Sequence, residues 1–167
     1  TNMGLKEDQF ANTNANFKSV TFNVTDGYQT ITPVDAVVVT ITGHNNTANY
    51  DGNAHTVSGY DVEISNPLYK ESDFTFSGDA TATRTNVVEG DDDDGKTEMG
   101  LAASQFTNTN GNFGTVTFNV TDGYQEITPI NATVTITGHN STDAYDGSEH
   151  SVSGYDVEIS DPLYKET

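Results

Sequence analysis

The chain repeats itself. Met3-Gly4-Leu5 returns as Met99-Gly100-Leu101, and the run from Thr21 to Gln29 returns from Thr117 to Gln125, at an offset of 96. After one deleted residue near position 133 the match resumes at an offset of 95. Ile41-Thr42-Gly43-His44 then faces Ile136-Thr137-Gly138-His139, and Val57-Ser58-Gly59-Tyr60 faces Val152-Ser153-Gly154-Tyr155. Residues 1–72 therefore match residues 97–167, and Asp73 to Lys96 occurs once. A period of this length belongs to an array in which each unit folds largely by itself and touches its neighbours.

The phase of the repeat turns on the single-copy stretch. Phe74, Phe76, Gly78, Ala80 and Ala82 alternate with polar residues, which is the period of a half-buried strand and not of a linker. Ile31-Thr32-Pro33-Val34-Asp35 and Ile127-Thr128-Pro129-Ile130-Asn131 each place a proline just before a new β-branched run, as a joint between modules would. Residues 36–131 then form one complete module, preceded by the back of another (1–35) and followed by the front of a third (132–167). The competing phase has two compact units, at 1–72 and 97–167.

Charge limits the partners. Six basic and 25 acidic side chains leave a net charge of -19, which would be repelled by nucleic acid and by anionic membranes. Eight Tyr and eight Phe are too many for long low-complexity disorder, so the chain is expected to fold. There is no run of eighteen apolar residues and no signal-peptide or anchoring pattern, which suggests an interior fragment of a longer protein. Cysteine is absent, which removes disulfides and thiolate metal sites from consideration.

Val37 to Thr42 is almost wholly β-branched, and Tyr60, Val62 and Ile64 alternate with Asp61 and Glu63. Thr115 to Val120 and Tyr124 to Ile127 supply two further strands. Asp-Gly pairs at 26, 51, 122 and 146 mark tight turns. Met99, Ala102, Ala103 and Phe106 fall at helical spacing, and Asn108-Thr109-Asn110-Gly111 would end a short helix there. The expected fold is mostly β, an α+β, β-grasp-like module of about 95 residues with one short helix per repeat.

Tyr50-Asp51-Gly52, His55-Thr56-Val57-Ser58-Gly59-Tyr60, Phe118-Asn119-Val120-Thr121-Asp122-Gly123-Tyr124 and Ile127-Thr128-Pro129 carry a family likeness. Together they resemble the YDG-signature repeats, related to MBG-type β-grasp modules, found in tandem in long surface proteins and adhesins of gram-positive bacteria. The likeness spans essentially the whole chain. It implies an extracellular, cell-surface location and a spacer that displays a distal adhesive domain. Where similar repeats turn briefly, this chain inserts Asn86-Val87-Val88-Glu89-Gly90 and the acidic run Asp91 to Asp94.

That run is the nearest thing to a chemical motif. Asp91, Asp92, Asp93 and Asp94 with Glu89 could offer hard oxygen ligands to calcium, the one cofactor the residues suggest, and none is required. The spacing is not that of an EF-hand, since with Gly95 at the sixth place the twelfth is Leu101. The plainer reading is a solvated, mobile turn. His44 with His139 and His55 with His150 recur as matched pairs, but with no cysteine and no close His-x-His they lack the ligands of a zinc site. The tyrosines also pair across the repeat, as a duplicated core would show, although a sugar-stacking face would use the same residues. Lys70 with Lys165, and the duplicated glutamines 9/105 and 29/125 beside many threonines, are the candidates for an internal isopeptide or ester cross-link. No nucleophile elbow or comparable local context supports an enzyme.

Two functional classes remain. The first is a structural stalk or spacer of a bacterial surface adhesin, whose partners are the neighbouring repeats of its own chain. The second is a self-assembling module, a dimer or filament made by strand complementation between terminal half-modules, or a surface that binds host glycan or protein.

Overall fold

The computed structural model describes residues 1–90 and 94–166. Strands form where β-branched and aromatic residues alternate with polar ones, because such side chains pack well on a pleated, half-buried surface. In chain order they are β1 (Val37–Gly43), β2 (Asn46–Asn49), β3 (His55–Ser58), β4 (Tyr60–Ile64), β5 (Phe74–Phe76) and β6 (Thr81–Arg84). There follow β7 (Lys96–Glu98), β8 (Phe106–Asn108), β9 (Val116–Thr121), β10 (Tyr124–Thr128), β11 (Val134–Gly138) and β12 (Tyr155–Ile159).

The architecture is mostly β. Among the described residues there is no α-helix: each helical element is a single three-residue 3-10 turn, at Glu7–Gln9, Glu71–Asp73 and Ala103–Gln105. The short helix expected around Met99 to Phe106 is thus corrected to such a turn, for an identifiable reason. Gly100 sits at φ +78°, outside the helical region, and the Asp122 carboxylate accepts hydrogen bonds from the Gly100 and Leu101 amides, both at 2.9 Å. The Gln105 side chain then accepts from the Ala102 amide at 2.8 Å, closing a turn and not a helix. Met99, Leu101 and Phe106 are all buried. Spacing of three and four reflected contact with one core, reached by an irregular path.

The first two strands of the central region run parallel to its last two. β1 lies between antiparallel β4 and parallel β9, in register from Val37↔Val116 to Thr42↔Thr121. The two chains stay side by side as they change sheet, β1 continuing into β2 and β9 into β10, with β10 parallel to β2 from Asn46 to Asn49 and antiparallel to β7. At the crossing, Gly43 and Gly123 pass backbone to backbone, and a Cβ on either would run into the other strand. Gly123 is therefore needed for close approach rather than for a hairpin. Of the five Asp-Gly pairs in the chain, those ending in Gly52, Gly95 and Gly147 have the positive φ of a tight turn, and those ending in Gly27 and Gly123 do not.

β1 alternates buried and less buried residues, and Val37, Val39 and Ile41 face an aromatic cluster. Phe106 stacks on Phe76 and Phe118, with ring centroids 4.8 and 5.6 Å apart, and meets the edge of Tyr60. Tyr69 meets Phe113 edge to face and donates its hydroxyl to the Asp73 carbonyl and to Asn108 Oδ1. Phe74 and Phe76 on β5 and Ala82 on β6 belong to this core, so the single-copy stretch is part of the packed interior. β5 pairs with β8, and β6 with β3.

Outside residues 37–128 the chain is mostly exposed, yet ordered in familiar patterns. β11 and β12 pair from Val134↔Ile159 to Gly138↔Tyr155, matching β1 and β4 from Val39↔Ile64 to Gly43↔Tyr60. Near the N-terminus the Gly4 and Leu5 amides reach Asp26 at 3.1 and 3.0 Å, as those of Gly100 and Leu101 reach Asp122.

Candidate functional site

Side-chain chemistry concentrates where the sequence departs from its own repeat. Arg84, the only arginine in the chain, ends β6 and is buried, which continues the inward phase of Ala80 and Ala82 by one step. Its Nε donates to the Asn86 carbonyl at 2.8 Å and its Nη2 to the Val87 carbonyl at 2.7 Å. Nη1 donates to the Lys96 carbonyl and to Thr97 Oγ1, the latter at 3.2 Å. One guanidinium fork thereby binds main chain on both sides of the loop between β6 and β7. A lysine could not do so, since an ammonium lacks the planar, multiply directed donors. Among the described residues no buried side-chain polar atom lacks a partner.

The acidic loop above this neck has a defined base. Glu89 Oε1 accepts from the amides of Thr85 and Asn86, both at 2.8 Å, and Asp94 Oδ1 accepts from the Lys96 amide at 2.8 Å. Gly95, at φ +78°, passes its carbonyl to the Ile127 amide. Two of the five residues named as calcium ligands, Glu89 and Asp94, thus hold backbone, while Asp91, Asp92 and Asp93 lie outside the described residues. Among the described residues no group of three His, Cys, Asp or Glu side chains is placed to hold a metal ion.

The Tyr-Asp-Gly turns use their aspartates locally. Asp51 accepts from the Asn53 amide at 2.9 Å and faces His55 Nε2 at 3.0 Å, and Asp146 does the same with the Ser148 amide and His150, both at 2.9 Å. The amide bond first, and the histidine second, hold both carboxyls below their ordinary pKa. His44 bridges Nδ1 to the Ser58 carbonyl at 2.9 Å and Nε2 to Asp61 at 3.3 Å. Both neighbours are acceptors, so the imidazolium is the better fit, and its pKa is raised, chiefly by the carbonyl. His139 repeats the arrangement with Ser153 and Asp156, both at 3.2 Å. Each histidine therefore clasps a turn or a strand edge.

In the central region Tyr60 and Tyr69 pack among phenylalanines, and half-buried Tyr124 lies beneath the Lys96 ammonium, 4.3 Å from its ring centroid. The cross-link candidates of the central region make other hydrogen bonds. Gln125 bonds Asn46 and the Glu126 carbonyl, Gln105 bonds the Ala102 amide and Gly100 carbonyl, and Lys70 donates to the Pro67 carbonyl. An apolar recess of about 310 Å³ lies between Tyr50, Val87 and Ile130 on one side and Leu163 and Tyr164 on the other. It marks the joint to the C-terminal segment, and Asp161 contributes a carboxylate to its otherwise largely apolar lining.

Sequence reasoning missed Arg84 and the Asp122 clasp. Period two along Phe74, Phe76, Ala80, Ala82 and Arg84 was the available signal for the first. The second needed knowledge that residues 100 and 122 meet. No helix among the described residues is long and apolar enough to cross a membrane. Comparison with known protein families, with characterised proteins and with solved structures finds no match to this chain.

Proposed function

We propose that this chain is a load-bearing spacer, a segment of an extended tandem-repeat stalk on a bacterial cell surface, with a grasp-like module of about 95 residues as its unit. One observation carries the reading. Because β1 runs parallel to β9 and β2 parallel to β10, the chain enters the central region at Val37 and leaves it at Thr128, at opposite ends of the same long strand pair. Tension between those points slides the two strands along each other, so the interstrand hydrogen bonds are loaded together in shear instead of opening one by one. A stalk needs this geometry, because it adds length with each unit and resists pulling along its axis. The recurrence of registers and Asp-amide clasps at offsets of 95 and 96 supports a unit built to be strung in series, with neighbouring repeats as its partners. The high negative charge would keep such stalks apart in solution.

Single-molecule pulling of the full chain from its two ends tests this. The expected trace has one dominant rupture that releases the roughly 90 residues from Val37 to Thr128, about 300 Å of extended chain. The outer segments should extend earlier, at low force. Gradual lengthening with no dominant rupture would refute a load-bearing role.

A further inference from the structure

We infer that Asn110 is a site of spontaneous covalent modification: it deamidates by attack of the Gly111 backbone nitrogen, and the product releases a tie between the end of β8 and the single-copy stretch. The inference goes beyond the spacer reading and does not depend on it. Asn110-Gly111 is the one Asn-Gly pair in the chain, and its counterpart in the other copy is Asn14-Ala15. Nothing in the fold asks for that glycine. Gly111 lacks the positive φ seen at Gly52 or Gly100, and a Cβ there would meet nothing within 4 Å beyond its chain neighbours. What glycine changes at this position is chemical: with no side chain beside it, the backbone nitrogen can approach the neighbouring carboxamide unhindered.

The turn presents that carboxamide for attack. The Asn110 carbonyl accepts from the Phe113 amide at 3.1 Å, closing a β-turn, and Asn110 Oδ1 accepts from the Asn112 amide at 3.0 Å. A donor on Oδ1 draws electron density from the carboxamide carbon and stabilises the oxyanion that develops as the nitrogen adds. Asn14 accepts the same bond from the Asn16 amide at 3.0 Å, but its neighbour is alanine. As the Gly111 nitrogen bonds to Asn110 Cγ, its proton passes to Nδ2, and the Cγ–Nδ2 bond breaks to release ammonia and leave a succinimide. Water then opens the ring at either carbonyl, giving aspartate or isoaspartate at position 110.

The surroundings give this reaction a consequence. Asn110 Nδ2 donates to Asp73 Oδ1 at 2.9 Å, while Asp73 Oδ2 accepts from the Lys70 amide at 2.8 Å. The Asp73 carbonyl accepts from the Thr109 amide and hydroxyl and from the Tyr69 hydroxyl, at 2.8, 3.0 and 3.1 Å. These bonds fasten the start of the single-copy stretch to the end of β8. Deamidation replaces the Nδ2 donor with a carboxylate that faces the Asp73 carboxylate, and like charges so close repel. The isoaspartate product also lengthens the backbone of the turn. Either form weakens the attachment of β5 to β8 in the central region.

Incubation of the folded full chain at mildly alkaline pH, followed by peptide mass mapping, is the test. The expected result is a mass gain of about 1 Da, NH2 replaced by OH, on the peptide that carries Asn110 before any other asparagine reacts. Gly111→Ala, permitted by the open space at that position and matched by Ala15 in the other copy, should slow the gain about tenfold and leave the urea midpoint unchanged. Asn110→Asp should lower that midpoint. Adding Asp73→Asn should restore most of it, because the new carboxamide keeps an oxygen for the Lys70 amide and turns a nitrogen toward position 110. A chain that gains no mass at Asn110 overturns the inference, as does a gain that Gly111→Ala leaves equally fast. So does an Asn110→Asp chain as stable as wild type, or a double variant no more stable than Asn110→Asp alone.

Discussion

Ile41 and Ile136 occupy the same tetrapeptide and face the equivalent valine, Val62 or Val157, across an antiparallel pair, yet the first is 0% exposed and the second 64%. Local sequence is enough to form the hairpin-like pair in both places. What differs is the company: around Ile41 stand parallel β9 and the aromatics of the single-copy stretch, and around Ile136 neither is present. Registers thus travel with the repeat, whereas burial depends on a strand about 80 residues away and on a segment that occurs once.

The most severe way to break this contrast is to remove the feature only the central region has. Arg84→Met deletes the donors to three carbonyls and to Thr97, and is expected to cost about 3–5 kcal/mol, as when a buried charged group leaves its partners unsatisfied. Arg84→Lys should recover little of it. Urea unfolding of the dilute monomer measures both, and a loss below 1 kcal/mol would show that the neck is not held by the guanidinium. A smaller but sharper comparison is Ile41→Ala against Ile136→Ala. The first should cost about 2–5 kcal/mol through its cavity, and the second under about 0.5 kcal/mol because its site is already open. Equal effects in the same urea titration would mean that the outer segment folds into the same cooperative unit.

The gentlest test is pH. The folded pKa of His44 is raised, so its contribution is complete below the ordinary value of 6.5 and is lost as pH rises through the folded value. The folded pKa of Asp51 is lowered, so its contribution is present above the ordinary 3.8 and is lost as pH falls through the folded value. The two clasps together favour the fold most between about pH 4 and 6.5. His44→Gln should flatten the decline in melting temperature from pH 6 to 8, while His139→Gln, in an outer segment, should leave it unchanged. Reversal of that order would place the cooperative unit elsewhere.

Strands were the legible part of the fold, because β-branched alternation is a local signal. Val37 to Thr42, Tyr60 to Ile64, Thr115 to Val120 and Tyr124 to Ile127 all emerge within a residue or so of their read positions. The parallel partnership of β1 and β9 was not legible, since nothing near Val37 specifies Val116 as a neighbour. The expected helix failed because apolar spacing was weighed without the glycine at 100 or the distant carboxylate of Asp122 that captures its amide. At the candidate site the carboxylates stood out by composition, but the residue that organises the loop was a single arginine hidden in a run of threonine and alanine.

The enclosure of Arg84 also changes how the chain meets digestive enzymes. A protease that cuts after arginine or lysine finds its one arginine target sealed and Lys96 inside a sheet. Lys6, Lys18 and Lys165 lie exposed on the outer segments, which leaves Lys70 as the accessible basic residue of the middle. Such an enzyme would trim the ends and meet few openings between them. The scarcity of basic side chains that makes the chain so acidic thereby also protects its strand-rich centre from tryptic digestion.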